Sequence, residues 1–113
     1  IYPEGTRSPD GCLYRGRPGV GWLALRSGLP VIPVALSGTR EVLPPGRMIP
    51  RPGRIEVTIG KPLALAPELF DAPPGKARRQ IADQVMAAIQ ELSGQEYVPM
   101  FASDRKAELA VSP

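Results

Sequence analysis

Residues 17–36 read RPGVGWLALRSGLPVIPVAL, from Arg17 to Leu36. Pro18 and Gly19 can open a helix, because the N–H that proline lacks is one that a first helical turn leaves unpaired anyway. Val20, Leu23, Ala24 and Ser27 then share one face at helical spacing, and Gly28 supplies the stop. After Pro30, the run Val31-Ile32-Pro33-Val34-Ala35-Leu36 is short, apolar and rich in β-branched side chains, which favours a buried strand over a helix. Pro33 cannot donate to a ladder, so it moves that strand toward an edge or a bulge. A helix followed at once by a strand predicts an α/β fold.

Working outward, Ile1 and Tyr2 read as the end of a strand, and Pro3 to Gly16 as loop, with Ser8-Pro9-Asp10-Gly11 as a turn. Ser37 to Gly53 reads as a proline-rich connection, with Val42, Leu43, Met48 and Ile49 as packing points. Ile55, Val57 and Ile59 alternate with Glu56 and Thr58, the pattern of a half-exposed strand. Pro73-Pro74-Gly75 precedes the clearest helix. There Ile81, Val85, Ala88, Ile89 and Leu92 form one stripe, while Arg79, Asp83, Gln90 and Glu91 lie off it. Ser93-Gly94 ends it. Periodicity fades after Val98, so residues 98–113 read as a disordered tail.

Composition bounds the rest. A chain of 113 residues has room for one domain. Aromatic residues make up only 5%, so an aliphatic core is expected, and fifteen prolines with twelve glycines cut the chain into short elements. Cys12 stands alone and there is no histidine, which leaves no internal disulfide and too few good ligands for zinc. No apolar run approaches the roughly 20 residues a spanning helix needs. The net charge of +3 suits acidic ligands or an anionic lipid surface. Aromatics are scattered without interleaved basic residues, so no nucleic-acid partner is expected.

The residues Pro3-Glu4-Gly5-Thr6-Arg7-Ser8 put a carboxylate, a flexible glycine, a hydroxyl and a guanidinium on one loop. Arg7 can donate two parallel hydrogen bonds to a phosphate, Thr6 can add one, and Gly5 allows backbone to come close. On these residues alone the loop is an anion-site candidate. Arg15 and Arg17 stand before the helix that Pro18 opens, where a helix start favours anions.

Ile1-Tyr2-Pro3-Glu4-Gly5-Thr6-Arg7-Ser8 also resembles the third sequence block of the glycerolipid acyltransferases, the lysophosphatidic acid acyltransferase family, which reads Phe-Pro-Glu-Gly-Thr-Arg-Ser or close to it. Val31 to Leu36 resembles the fourth block, an apolar strand with a central proline. Gly60-Lys61-Pro62-Leu63 resembles the Gly-x-Pro-Leu that closes the last strand. The resemblance covers residues 1–97 and implies the C-terminal part of an acyltransferase domain, with a central, mostly parallel or mixed sheet and helices packed on it. The family's catalytic Asn-His-x₄-Asp signature has no match here, so catalytic His and Asp are expected upstream and none in this chain.

What the resemblance implies is a fatty acyl transfer from acyl-coenzyme A or acyl carrier protein to 1-acyl-glycerol-3-phosphate, giving phosphatidic acid, with no cofactor. Arg7 would meet the acceptor phosphate. Glu4 would either orient Arg7 or accept from a glycerol hydroxyl. Gly5 and Thr6 would add backbone access and a donor. Arg17 reads as a phosphate or coenzyme A contact, or as a solvated arginine; Pro33 as part of the acyl-donor cleft, or as core strand. The whole protein is expected at the cytoplasmic face of a membrane, peripheral or held through the missing N-terminal part. Two other readings are a non-catalytic anion- or lipid-surface-binding module and a glycerol-3-phosphate acyltransferase.

Overall fold

The computed structural model describes residues 1–44 and 46–111. In chain order the elements are strand β1 (Leu13–Tyr14), helix α1 (Gly19–Ser27), strand β2 (Val34–Ser37), a short helix α2 (Thr39–Val42), strand β3 (Glu56–Ile59), a 3-10 turn (Pro67–Phe70), helix α3 (Pro74–Ser93), strand β4 (Tyr97–Val98) and helix α4 (Ala102–Val111). The α/β expectation holds. The single central sheet does not: among the described residues there are two separate two-stranded sheets. β1 pairs with β4 in parallel, Leu13 opposite Tyr97, and β2 pairs with β3 antiparallel, Val34 opposite Ile59 and Ser37 opposite Glu56.

The two long helices carry the core. Ala77, Ile81, Ala82 and Val85 of α3 are buried with Val20 and Ala24 of α1, and Leu69 of the 3-10 turn closes the cluster. Both helices stop where expected, on glycines in the left-handed conformation: Gly28 at φ 65° and Gly94 at φ 70°. The expected face of α1 is only half right. Val20 and Ala24 are buried, but Leu23 and Ser27 are exposed and Gly21 takes the inner position. A Cβ at Gly21 would stand 2.3 Å from the Arg78 carbonyl oxygen and 2.6 Å from its Cα. The helices therefore approach to backbone contact, which only a glycine allows.

Other expectations are corrected by partners the sequence does not show. Ile1 and Tyr2 are exposed and form no strand, because no segment of the described chain pairs with them. β2 begins only at Val34; Pro33, with no N–H to give, sits buried just before it and accepts from Gly60 N–H at 2.8 Å. Met48, expected to pack, is 95% exposed. On the sheet of β2 and β3, Ala35 turns inward and is buried, whereas Val57 and Ile59 of β3 are 58% and 71% exposed. The expected half-exposed pattern is not seen in β3: all four of its residues are exposed, and Ile55 lies before it.

The segment read as a tail is ordered as α4 across Ala102–Val111; Ser112 and Pro113 lie outside the described residues. Its anchor is Phe101. The guanidinium of Arg17 lies 4.0 Å from the ring centroid, with those of Arg15 and Arg79 at 5.7 and 5.8 Å. Such contacts lie within the ~6 Å reach of cation–π attraction. Arg17 Nη2 also donates to Ser103 Oγ at 2.6 Å, and Lys106 Nζ to Thr6 Oγ1 at 2.7 Å.

The close helix contact yields a sharp contrast. Gly21→Ala is expected to destabilise the fold by about 1–3 kcal/mol, the usual penalty for overpacking, despite alanine's better helix propensity. Gly75→Ala, in α3 with nothing within 4 Å of its Cβ position, is expected to be neutral or to stabilise by about 0.5–1 kcal/mol. Urea unfolding of both variants checks this; equal effects would mean that α1 and α3 do not touch at Gly21.

Candidate functional site

The loop before β1 is built by local hydrogen bonds. Gly5 N–H donates to the Tyr2 carbonyl at 3.2 Å, closing a turn with Pro3 at its second position, and Gly5 takes φ 76°, where other residues are strained. Arg17 N–H reaches back to the Pro3 carbonyl at 2.7 Å. The expected turn at Ser8 is held by side chains: Gly11 N–H donates to Ser8 Oγ at 3.0 Å, and Cys12 N–H to Asp10 Oδ1 at 3.1 Å. β1 is fixed to it through the Tyr14 hydroxyl, which donates to Asp10 Oδ2 at 2.7 Å.

That loop forms one wall of a groove of about 700 Å³. Glu4, Gly5, Thr6 and Arg7 line it, and from the other side so do Val34, Leu36 and Ser37 of β2 with Thr39 and Arg40 of α2. Leu13 and Ile89 add apolar surface. The two sequence blocks thus meet in space. Pro33 does not line the groove; the residues after it do. Arg17 is also outside it; its guanidinium packs on Phe101 and its Nη2 donates to Ser103 Oγ. Sequence reasoning passed over Arg40, since it lay in a stretch read only as a connection; a basic residue two positions past a strand and its glycine was the available signal.

Arg7 donates through Nη2 to the carbonyl of Leu43, the residue that caps α2. One donor is thereby used of the five a guanidinium carries. Glu4 does not form a salt bridge with Arg7; its Oε2 accepts from Tyr14 N–H at 3.3 Å. Partial burial raises the Glu4 pKa, and the Tyr14 bond opposes that rise. Thr6 lines the groove, and its hydroxyl accepts from Lys106. The arrangement offers donors to an anion at one end and an apolar strip along β2 at the other.

Electrostatics remove Cys12 from consideration as a nucleophile. Desolvation, a hydrogen bond to Glu96 Oε2 at 3.5 Å and the nearby Asp10 carboxylate push its thiol up to about 11. Tyr14, buried and bonded to Asp10, is raised to about 12. Burial works against the ionised form of Asp10, but its hydrogen bonds from Tyr14, Cys12 and Ser8 outweigh that and hold it below the ordinary value. The thiol is therefore protonated throughout the neutral range. Alkylation of Cys12 by iodoacetamide at pH 8 is expected to run about 100-fold slower than that of an unperturbed cysteine, rising until about pH 11; a rate matching free cysteine would show that the carboxylates do not face the sulfur.

Comparison with known proteins gives the groove a context. No protein-family model matches the chain, and no solved structure matches it. Curated sequences do. The chain is 38% identical over 88 residues to a chloroplastic 1-acyl-sn-glycerol-3-phosphate acyltransferase of Brassica napus, covering 75% of this chain and 24% of that protein. It is 39% identical over 64 residues to a chloroplastic protein of the same description from Arabidopsis thaliana, covering 56% and 18%. A third relative so described, from Chlamydomonas reinhardtii, is 32% identical over 90 residues, 79% and 24%. The chain thus spans about a quarter or less of the length of these relatives. Among the described residues no helix is long and apolar enough to cross a membrane. Over the stretch it shares with them, the chain belongs to the 1-acyl-sn-glycerol-3-phosphate acyltransferase family.

Proposed function

We propose that these residues form the acceptor-positioning part of an enzyme that moves a fatty acyl group from acyl-coenzyme A or acyl carrier protein to 1-acyl-glycerol-3-phosphate, giving phosphatidic acid. One observation carries the reading: the loop Glu4–Arg7 and the strand β2, far apart in sequence, line the same groove. Arg7 and Thr6 would take the phosphate, and Gly5 would keep the backbone open to it. Glu4, turned toward β1, would accept from the glycerol hydroxyl rather than steer Arg7. Val34 and Leu36 would lie along the acyl chain that the acceptor already carries. That apolar strip favours a monoacylated acceptor over bare glycerol 3-phosphate, which has nothing to place there.

The chemistry requires a base on the attacking hydroxyl, commonly histidine with a carboxylate fixing its orientation. The sequence holds no histidine, so such a base would come from residues outside these 113. What this part supplies is orientation, a contribution that can reach several kcal/mol when the reacting groups are well aligned. Contact with the membrane would be peripheral here, through the surface around the groove. The lack of histidine also favours a second reading, a binding module that holds an anionic lipid without turning it over.

Two measurements test these readings. Arg7→Ala in the complete gene product is expected to lower kcat/KM for lysophosphatidate by about 10- to 100-fold, the range for one charge-assisted hydrogen bond, with the KM for acyl-coenzyme A moved far less. Unchanged acceptor kinetics would take Arg7 out of its role. The 113-residue chain alone, given lysophosphatidate and labelled acyl-coenzyme A, is expected to show no turnover; product above the buffer blank would place a complete catalytic set within it. A complete gene product that binds lysophosphatidate without acyl transfer would favour the binding module.

A further inference from the structure

We propose that Arg40 is a second substrate-binding cation of the groove, and that with Arg7 it makes the site prefer a phosphomonoester headgroup to a phosphodiester. The inference rests on the acyltransferase reading above and deepens it. Its basis is a reciprocal crossing of two segments. Arg7 leaves the early loop and hydrogen-bonds the carbonyl of Leu43 at the end of α2. Arg40 leaves α2 and lies across that same loop, its Cδ and Nη1 3.4 and 3.5 Å from where a Cβ would stand on Gly11. Each arginine extends to the other's segment, Arg7 to the end of α2 and Arg40 to the loop at Gly11, and both line the groove.

The turn that carries Arg40 is tightly packed. Gly38 adopts φ 85°, and a Cβ there would fall 2.0 Å from the carbonyl oxygen of Arg54, just before β3, so this close approach fixes where α2 starts. No salt bridge among the described residues includes Arg7 or Arg40. Two guanidiniums on one groove without an ion-pair partner match a group that carries close to two negative charges at neutral pH, as a phosphomonoester does. A diester carries one and would leave the second guanidinium unanswered. Glu4 and Glu41 also line the groove; their carboxylates suit the hydroxyl of such an acceptor and discourage anions that lack one.

The test uses the complete gene product with two soluble acceptors, 1-hexanoyl-glycerol 3-phosphate and its methyl phosphodiester. The wild-type protein is expected to favour the monoester. Arg40→Gln is expected to raise KM for the monoester about 10- to 100-fold, as the loss of one charge-assisted bond does, and KM for the diester by less than about 3-fold, so the preference collapses. Arg40→Lys, which keeps the charge and loses the fork, is expected to fall between; it carries the test if the Gln variant has lost its circular dichroism. Equal changes for both acceptors, or none for either, would overturn the assignment. Turnover of neither acceptor by the wild type would instead overturn the acyltransferase reading, and this inference with it.

Discussion

Gly21 resting against the backbone of Arg78 sets the geometry of this protein. With two helices in backbone contact, the side chains around the crossing need little bulk, and alanines can fill it: Ala24, Ala77 and Ala82 are all buried there. A low aromatic content is enough for such a core. From that crossing α3 extends past β1 and β2, so the early loop and the strand that follows α1 are both placed relative to one rigid element. The groove between them exists because α3 holds its two walls.

The site follows from that placement and from exchange between its walls. Arg7 bonds to the end of α2, and Arg40 lies over the loop at Gly11. Lys106 of α4 touches Thr6, and Arg17 is fixed on Phe101 and Ser103. The loop is thus supported by two separate parts of the chain, α2 and α4. Arg17, a candidate ligand contact in the sequence, fastens the C-terminal helix through Phe101 and Ser103.

Legibility in the sequence followed the strength of local signals. α1 and α3 were readable because apolar spacing, a proline at the start and a glycine at the stop all agreed. The order of loop, helix and strand around Arg7 was readable from proline and glycine placement and β-branched content. β1 and β4 were not, since two residues each cannot show a period, and they exist only by pairing with each other. α4 was missed because its hold comes from arginines elsewhere gathering at Phe101, which no window of sequence reveals. Leu23 looked like core by spacing, but the inner position belongs to Gly21, whose value lies in what it lacks. Arg40 was passed over because its relevance depends on Gly11 across the groove.

The parallel pairing of Leu13 with Tyr97 has a consequence for how the molecule assembles. About three quarters of the chain lies between these two strands, and closing so long a segment is entropically unfavourable until intervening structure shortens it. The crossing of α1 and α3, Gly21 against Arg78, closes a shorter segment and can come first. The loop of Glu4 to Arg7, joined to β1, would then acquire its final shape only at the last closure, which leaves it open to transient local unfolding.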